Sequence, residues 1–211
     1  MKGNISKLLF AVLAVGALYC ASAQGNTFGG CGEIRTLGQF IDAGGCYLGD
    51  KRFSFTNSTL DGDTPILFFS ADRRGTMIYA VELGDTSLGG ITGSFEYQIS
   101  IQDPQYVFGS VMLDSDVSLG QEGSATVSKL LSSAIYTTLL SEDGSTDIAD
   151  LTTRGLTSMH VLDTLSVTGD AVIDRVINAF SQVAVPEPAT LALFGLGLAG
   201  IGAVRRRRTI S

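Results

Sequence analysis

The chain has no tryptophan and a single histidine, His160, in 211 residues. One imidazole leaves most zinc sites short of ligands, and any Ser-His-Asp relay would depend on that side chain alone. Cations are scarce as well: 14 Lys and Arg stand against 21 Asp and Glu, a net charge of -7. Nucleic-acid binding by phosphate neutralisation needs clustered Lys and Arg, so bulk charge excludes it. Only 17% of residues are charged and 45% are hydrophobic, which excludes a wholly disordered chain. Proline occurs 4 times and glycine 26 times. The length suits one domain or two small ones. A mean hydropathy of +0.29 is high for a soluble domain, and the apolar excess sits at the two ends.

At the N-terminus Lys2 and Lys7 precede an apolar run from Leu8 to Leu18, and Ala21-Ser22-Ala23 follows. A positive n-region, a short apolar core and a small-x-small site read as a Sec-type signal peptide over residues 1–23. The run is too short for a good membrane span. Tyr19 is too bulky for a lipobox before Cys20, so cleavage after Ala23 is expected and removes Cys20. The Sec translocon and signal peptidase are the partners this implies.

At the other end Val185-Pro186-Glu187-Pro188-Ala189-Thr190 leads into residues 189–204, which hold no charge, and then Arg205, Arg206, Arg207 and Arg208. As a helix, residues 189–204 would span about 24 Å at roughly 1.5 Å per residue. That is short of the roughly 30 Å hydrocarbon core, though arginines can snorkel and the bilayer can thin. Four arginines after an apolar span are a stop-transfer signal that fixes this end in the cytoplasm. Pro186 and Pro188 oppose helix and sheet pairing, so the segment between should stay extended, with Glu187 its only charge. Gly195-Leu-Gly197-Leu-Ala-Gly200 spells a dinucleotide fingerprint, but it lies inside the apolar span with no preceding strand or following acidic residue. It reads as part of a glycine-rich membrane helix.

Motif, apolar span and arginine end, in this order, resemble the PEP-CTERM sorting signal of exported proteins in Gram-negative bacteria that make exopolysaccharide. The resemblance covers residues 185–208: a motif at 185–190, a transmembrane helix at 189–204 and an Arg-rich end at 205–208. It implies recognition by an exosortase, a membrane-embedded cysteine protease-transpeptidase, in the way sortases handle a Leu-Pro-x-Thr-Gly tail. It also implies an inner-membrane, single-pass precursor bound for the cell surface or the extracellular matrix, with exopolysaccharide as a further partner.

Between the ends, residues 24–184 hold eight basic and twenty acidic residues, a net charge of -12. Such a domain repels anionic surfaces and nucleic acid. Cys31 and Cys46 are its only cysteines and lie in an oxidising compartment. They read as a disulfide closing a loop of about 15 residues, worth roughly 3 kcal/mol. A reactive or metal-binding thiol pair is the alternative, opposed by the wide spacing. From Glu33 to Ala43, Ile34, Leu37 and Ile41 recur at helical spacing, and Gly44-Gly45 stops the pattern.

Beyond Cys46 the period changes to two. Phe95, Tyr97, Ile99 and Ile101 share one face, as do Met77, Tyr79, Val81 and Leu83, and Met159, Val161, Leu165 and Val167. Shorter strands are expected at 52–56, 66–70, 106–113, 125–131 and 135–140. Turn signals separate them, among them Asp61-Gly62-Asp63, Arg74-Gly75, Leu88-Gly89-Gly90, Asp143-Gly144 and Gly169-Asp170. Residues 171–180 suit a helix as well as a strand. The pattern predicts a mainly β domain, an antiparallel β-sandwich with a short N-terminal helix. Cys31, Leu37, Ile41, Gly45-Cys46 and Gly49-Asp50-Lys51-Arg52-Phe53 also resemble the opening of many exported PEP-CTERM proteins, mostly secreted β-sandwiches.

No catalytic constellation assembles in the sequence, so no enzyme is expected, and no cofactor or metal. His160 alternates away from Met159 and Val161 and reads as a surface residue. Asp61/Asp63 and Asp114/Asp116 could act as paired carboxylates or bind a cation, but within Gly/Ser-rich sequence they read as solvated turns. The expected role is a structural or interaction component of the cell surface or matrix. The alternative is a secreted carbohydrate-binding module, which would need an exposed aromatic platform.

Overall fold

The computed structural model describes residues 28–84, 90–134 and 136–185. The signal peptide expected over residues 1–23, and the sorting signal from Pro186 onward with its apolar span and Arg205–Arg208, lie outside the described residues. Among the described residues no helix is long and apolar enough to cross a membrane.

The fold opens with a single-turn 3-10 helix, Cys31–Glu33, and helix α1, Leu37–Ala43. This helix is shorter than the segment from Glu33 that the spacing predicts. Thr36 caps it: its hydroxyl accepts from the Gln39 amide while the Gln39 side chain accepts from the Thr36 amide, a capping box. Ile34 therefore lies outside the helix in extended backbone, although it is buried. Within the helix Leu37 and Phe40 are fully buried, three residues apart, and Ile41 is 37% exposed. Gly44 ends the helix with φ 67°, the left-handed conformation a glycine adopts without cost.

Eleven strands follow among the described residues. They are β1 (Gly45–Leu48), β2 (Lys51–Ser58), β3 (Ile66–Arg73), β4 (Thr76–Gly84) and β5 (Gly93–Ile101). Then come β6 (Tyr106–Ser118), β7 (Ser124–Ser132), β8 (Tyr136–Glu142), β9 (Asp147–Asp150), β10 (Ser158–Thr168) and β11 (Val172–Ala184). They form two sheets, ordered β1-β2-β5-β10-β7-β8 and β3-β4-β11-β6-β9, and every pairing is antiparallel. The mainly β, two-sheet architecture with one short helix is the one the period-two pattern implies.

Alternation puts one face of each sheet into a shared core. Phe95, Tyr97 and Ile99 on β5 and Val161 on β10 are fully buried. Rings from both sheets meet there: Phe53 lies 5.1 Å from Phe68, and Tyr97 meets Phe180 edge-on at 6.4 Å.

Residues 171–180, ambiguous in sequence, form most of β11, at the centre of the second sheet. The ambiguity has a physical cause. Against β6 the register steps from Ile173↔Val117 to Arg175↔Asp116, so Asp174 is an extra residue. That bulge brings Ile173 and Val176, three residues apart, onto the same buried face and imitates a helical period. Gly84 sits against the bulge with φ 87°, where a Cβ would come 2.5 Å from the Asp174 carbonyl oxygen.

Candidate functional site

The segment expected to be a sorting signal follows the end of β11. Pairing with β6 continues to Ala184↔Tyr106, and the Val185 amide donates to the Gln105 carbonyl at 2.7 Å. Val185 itself is 42% exposed. The domain therefore holds the chain up to the residue before Pro186, with no described linker in between.

Near the start of the chain Cys31 and Cys46 form the expected disulfide, with both residues fully buried. It ties the 3-10 turn to β1, which pairs with β2 at Cys46↔Phe53. The bridge fastens the N-terminal segment and α1 to the edge of the first sheet.

The candidate carboxylates do not converge. Asp61 accepts from the Asp63 amide at 3.0 Å, a local turn bond, and both are exposed. Asp114 and Asp116 do not lie in a turn, contrary to expectation. They sit on β6, alternating outward between the buried Leu113 and Ser115. Asp114 accepts from the Thr146 hydroxyl at 2.7 Å, and Asp116 pairs with Arg175, which also reaches Glu82 at 3.5 Å. Among the described residues no three His, Cys, Asp or Glu side chains gather to hold a metal ion. A depression of about 330 Å³ is lined by Arg35, Pro65, Leu67, Glu82 and Arg175, and none of the candidate carboxylates reaches it.

His160 is half-buried on the outer face of the first sheet. Its Nε2 lies 3.3 Å from the Thr56 hydroxyl and its Nδ1 3.4 Å from a Glu96 carboxylate oxygen. Hydroxyl, imidazole and carboxylate in a row outline a relay. Both contacts are long, however, and the row lies on a strand face outside the described depressions.

Sequence reading missed two lysines enclosed by the sandwich. Lys129 on β7 faces Asp163 on β10 in direct register, Nζ to Oδ1 2.8 Å, and both are fully buried. Lys129 also donates to the Asn178 carbonyl oxygen, and the Asn178 amide donates to Asp163 at 2.6 Å. Asn178 belongs to β11, so this triangle links the two sheets. The Tyr97 hydroxyl is buried without a hydrogen-bond partner among the described residues. Burial, and then the Asp163 carboxylate, push its phenol well above the ordinary value. Burial also lowers the Lys129 ammonium, with Asp163 opposing.

Lys51, at the start of β2, makes the second link. It pairs with Asp50 at 2.5 Å, donates to Gln182 on β11, and lies 4.1 Å from the centre of the Tyr79 ring on β4. Burial lowers its ammonium against Asp50 and Asp103. The signal for Lys129 was available. Ala125, Val127 and Leu131 alternate inward and Lys129 fills the gap, just as Asp163 fills the gap between Val161 and Leu165.

Residues 184–208 match the model of the PEP-CTERM protein-sorting motif. No curated protein matches the chain. Two solved variants of a family 29 carbohydrate-binding module are similar at 13% identity and a TM-score of 0.24. One alignment covers 61% of this chain and 80% of the module, the other 67% and 95%. At that score the likeness carries no inference about a ligand.

Proposed function

We propose, starting from the PEP-CTERM protein-sorting motif at residues 184–208, that this chain is an exported protein delivered by an exosortase to the cell surface or extracellular matrix. Its cargo is the two-sheet domain, which serves there as a structural or interaction component. The observation that carries the reading is the junction: the matched motif begins at residue 184, where β11 ends. The folded domain and the sorting signal are thus adjacent units, one ordered by its ladders and the other marked by its prolines. Val185, Pro186, Glu187 and Pro188 supply recognition, the apolar span at 189–204 supplies membrane residence, and Arg205–Arg208 supply orientation.

The test separates these roles. Changing Pro186, Glu187 and Pro188 to alanine leaves the apolar span untouched, so insertion should persist. Alanines favour helix through the recognition site, so processing should stop. The expected outcome is a full-length, membrane-bound species accumulating in place of a shorter one, read by intact mass from fractionated cells. A triple variant trimmed and delivered like its parent would sink the reading.

The carbohydrate-binding alternative rests on less. Tyr136, on the edge strand β8, is the one aromatic residue exposed among those described, at 80%. A single ring is a contact rather than a platform.

A further inference from the structure

We propose that the end of the sandwich from which β11 leaves is a surface for anionic phospholipid headgroups, contacted through Arg73, Arg74 and Arg154. The inference rests on the reading that residues 189–204 hold the chain in a membrane. It adds which face of the domain meets that membrane and which side chains touch it.

Strand register puts the three arginines beside the exit. β4 pairs with β11 from Gly84↔Arg175 to Ile78↔Ser181, so the β3–β4 hairpin, with Arg74-Gly75 at its tip, lies beyond Ser181 on the side of Val185. Arg154 lies in the loop between β9 and β10. That loop is held by the Leu151 amide on Gly109 and the Phe108 amide on Leu156, and Phe108 pairs with Gln182. In the sheet order β3-β4-β11-β6-β9, the hairpin and this loop stand on opposite sides of the exit.

The domain's other cations are already engaged or lie elsewhere. Lys51 and Lys129 are buried, and Arg175 is paired with Asp116 and Glu82. Arg52 lies 4.7 Å over the Phe28 ring. Arg35 donates to the Ile34 carbonyl, and its own carbonyl accepts from Ile66, next to Pro65, whose carbonyl binds Gly84 at the opposite end. Arg73, Arg74 and Arg154 are exposed and in no ion pair among the described residues.

The acidic groups are distributed the other way. Asp72, Asp103 and Asp150 at the exit end each accept from an amide of their own turn, those of Gly75, Gln105 and Thr152. Among the described residues they balance the three arginines and leave that end near neutral. The opposite end presents Asp61, Asp63, Glu122, Asp143 and Asp170 in loops whose described residues include no Lys or Arg. An anionic surface repels that end and accepts the exit end.

Reach keeps the exit end close to the membrane. The chain is held to Val185, and Pro186-Glu187-Pro188 alone separate it from Ala189. Even fully extended, that span is at most about 14 Å. The exit end then stays within roughly one to two Debye lengths of the headgroups, about 8–10 Å each, where arginines in no ion pair among the described residues are drawn to phosphate.

The test uses the full chain in vesicles of phosphatidylcholine alone and of phosphatidylcholine mixed equally with phosphatidylglycerol. Exposed arginines are labelled with p-hydroxyphenylglyoxal and quantified by mass spectrometry, with Arg35 as the internal reference. Labelling of Arg73, Arg74 and Arg154 relative to Arg35 should fall about threefold or more in the anionic vesicles and recover in high salt. Equal ratios in both vesicles, with the chain still floating with the lipid, overturn the headgroup contact and leave the anchor standing. A chain that floats with neither vesicle overturns the anchor and the contact together. Protection that appears only after an exosortase is added assigns the surface to that enzyme and overturns the proposal.

Discussion

A lysine enclosed between two sheets is destabilising unless its charge is answered at short range. Lys129 is answered twice, by Asp163 in register on the neighbouring strand and by Asn178 across the core. Lys129→Met removes the cation and leaves Asp163 buried without it, so unfolding free energy should fall by about 3–5 kcal/mol. Adding Asp163→Leu together with Asn178→Leu should recover most of that loss, because Asn178 bonds only to these two partners and three apolar groups need none. Denaturant unfolding of the two variants checks both statements. The tyrosines predict the alkaline limit of the fold. Burial, with the Asp50 carboxylate beside it, raises the Tyr79 phenol to about 12, and burial raises Tyr97 as well. A raised folded value means the unfolded chain loses its phenolic protons first. The tyrosines' contribution to stability is therefore intact below pH 10 and should be lost progressively as pH climbs towards 12. The buried lysines act with the opposite sign, and only below their ordinary value of 10.5, so they do not cause this decline. Phenolate absorbance followed alongside unfolding at each pH measures it, and Tyr79→Phe should flatten part of the slope. A phenolate spectrum complete before any unfolding would contradict the assignment.

Elements were legible where their period was unbroken. Strands β5 and β10 show four inward apolar residues each at spacing two, or spacing two with one polar gap, and both form as that pattern implies. Strand β11 was obscured because the extra residue Asp174 replaces a spacing of two with one of three. Strands β1 and β9, four residues each, are too short to show a period. Helix α1 was read one turn too long because the buried Ile34 lies at a helical distance from Leu37, although the Thr36–Gln39 cap separates them. The sorting motif was legible for the opposite reason: it is a linear pattern, and no partner distant in sequence is needed to read it. The lysine–aspartate link was not read because it requires the register of two strands, which alternation alone does not supply. The disulfide was read from cysteine count and compartment, and its contribution can be measured. Cys31→Ser should remove roughly 3 kcal/mol, the closure entropy of a loop of about 15 residues, and lower the melting temperature. Native, non-reduced protein should show no alkylatable thiol at Cys31 or Cys46, and two free thiols there would refute the bridge.

At the scale of the whole molecule, the C-terminal attachment point is a central strand rather than an edge. β11 is hydrogen-bonded from Arg175 to Ser181 against β4 and from Val172 to Ala184 against β6. Asn178 and Gln182 on the same strand tie it to Lys129 and Lys51 of the other sheet. Tension applied through the tail pulls along the axis of that strand, so both flanking ladders are loaded in shear. Their bonds must yield together, whereas an edge strand pulled sideways would peel one bond at a time. A domain pulled through this strand can bear mechanical load at its C-terminal end, because both ladders share that load.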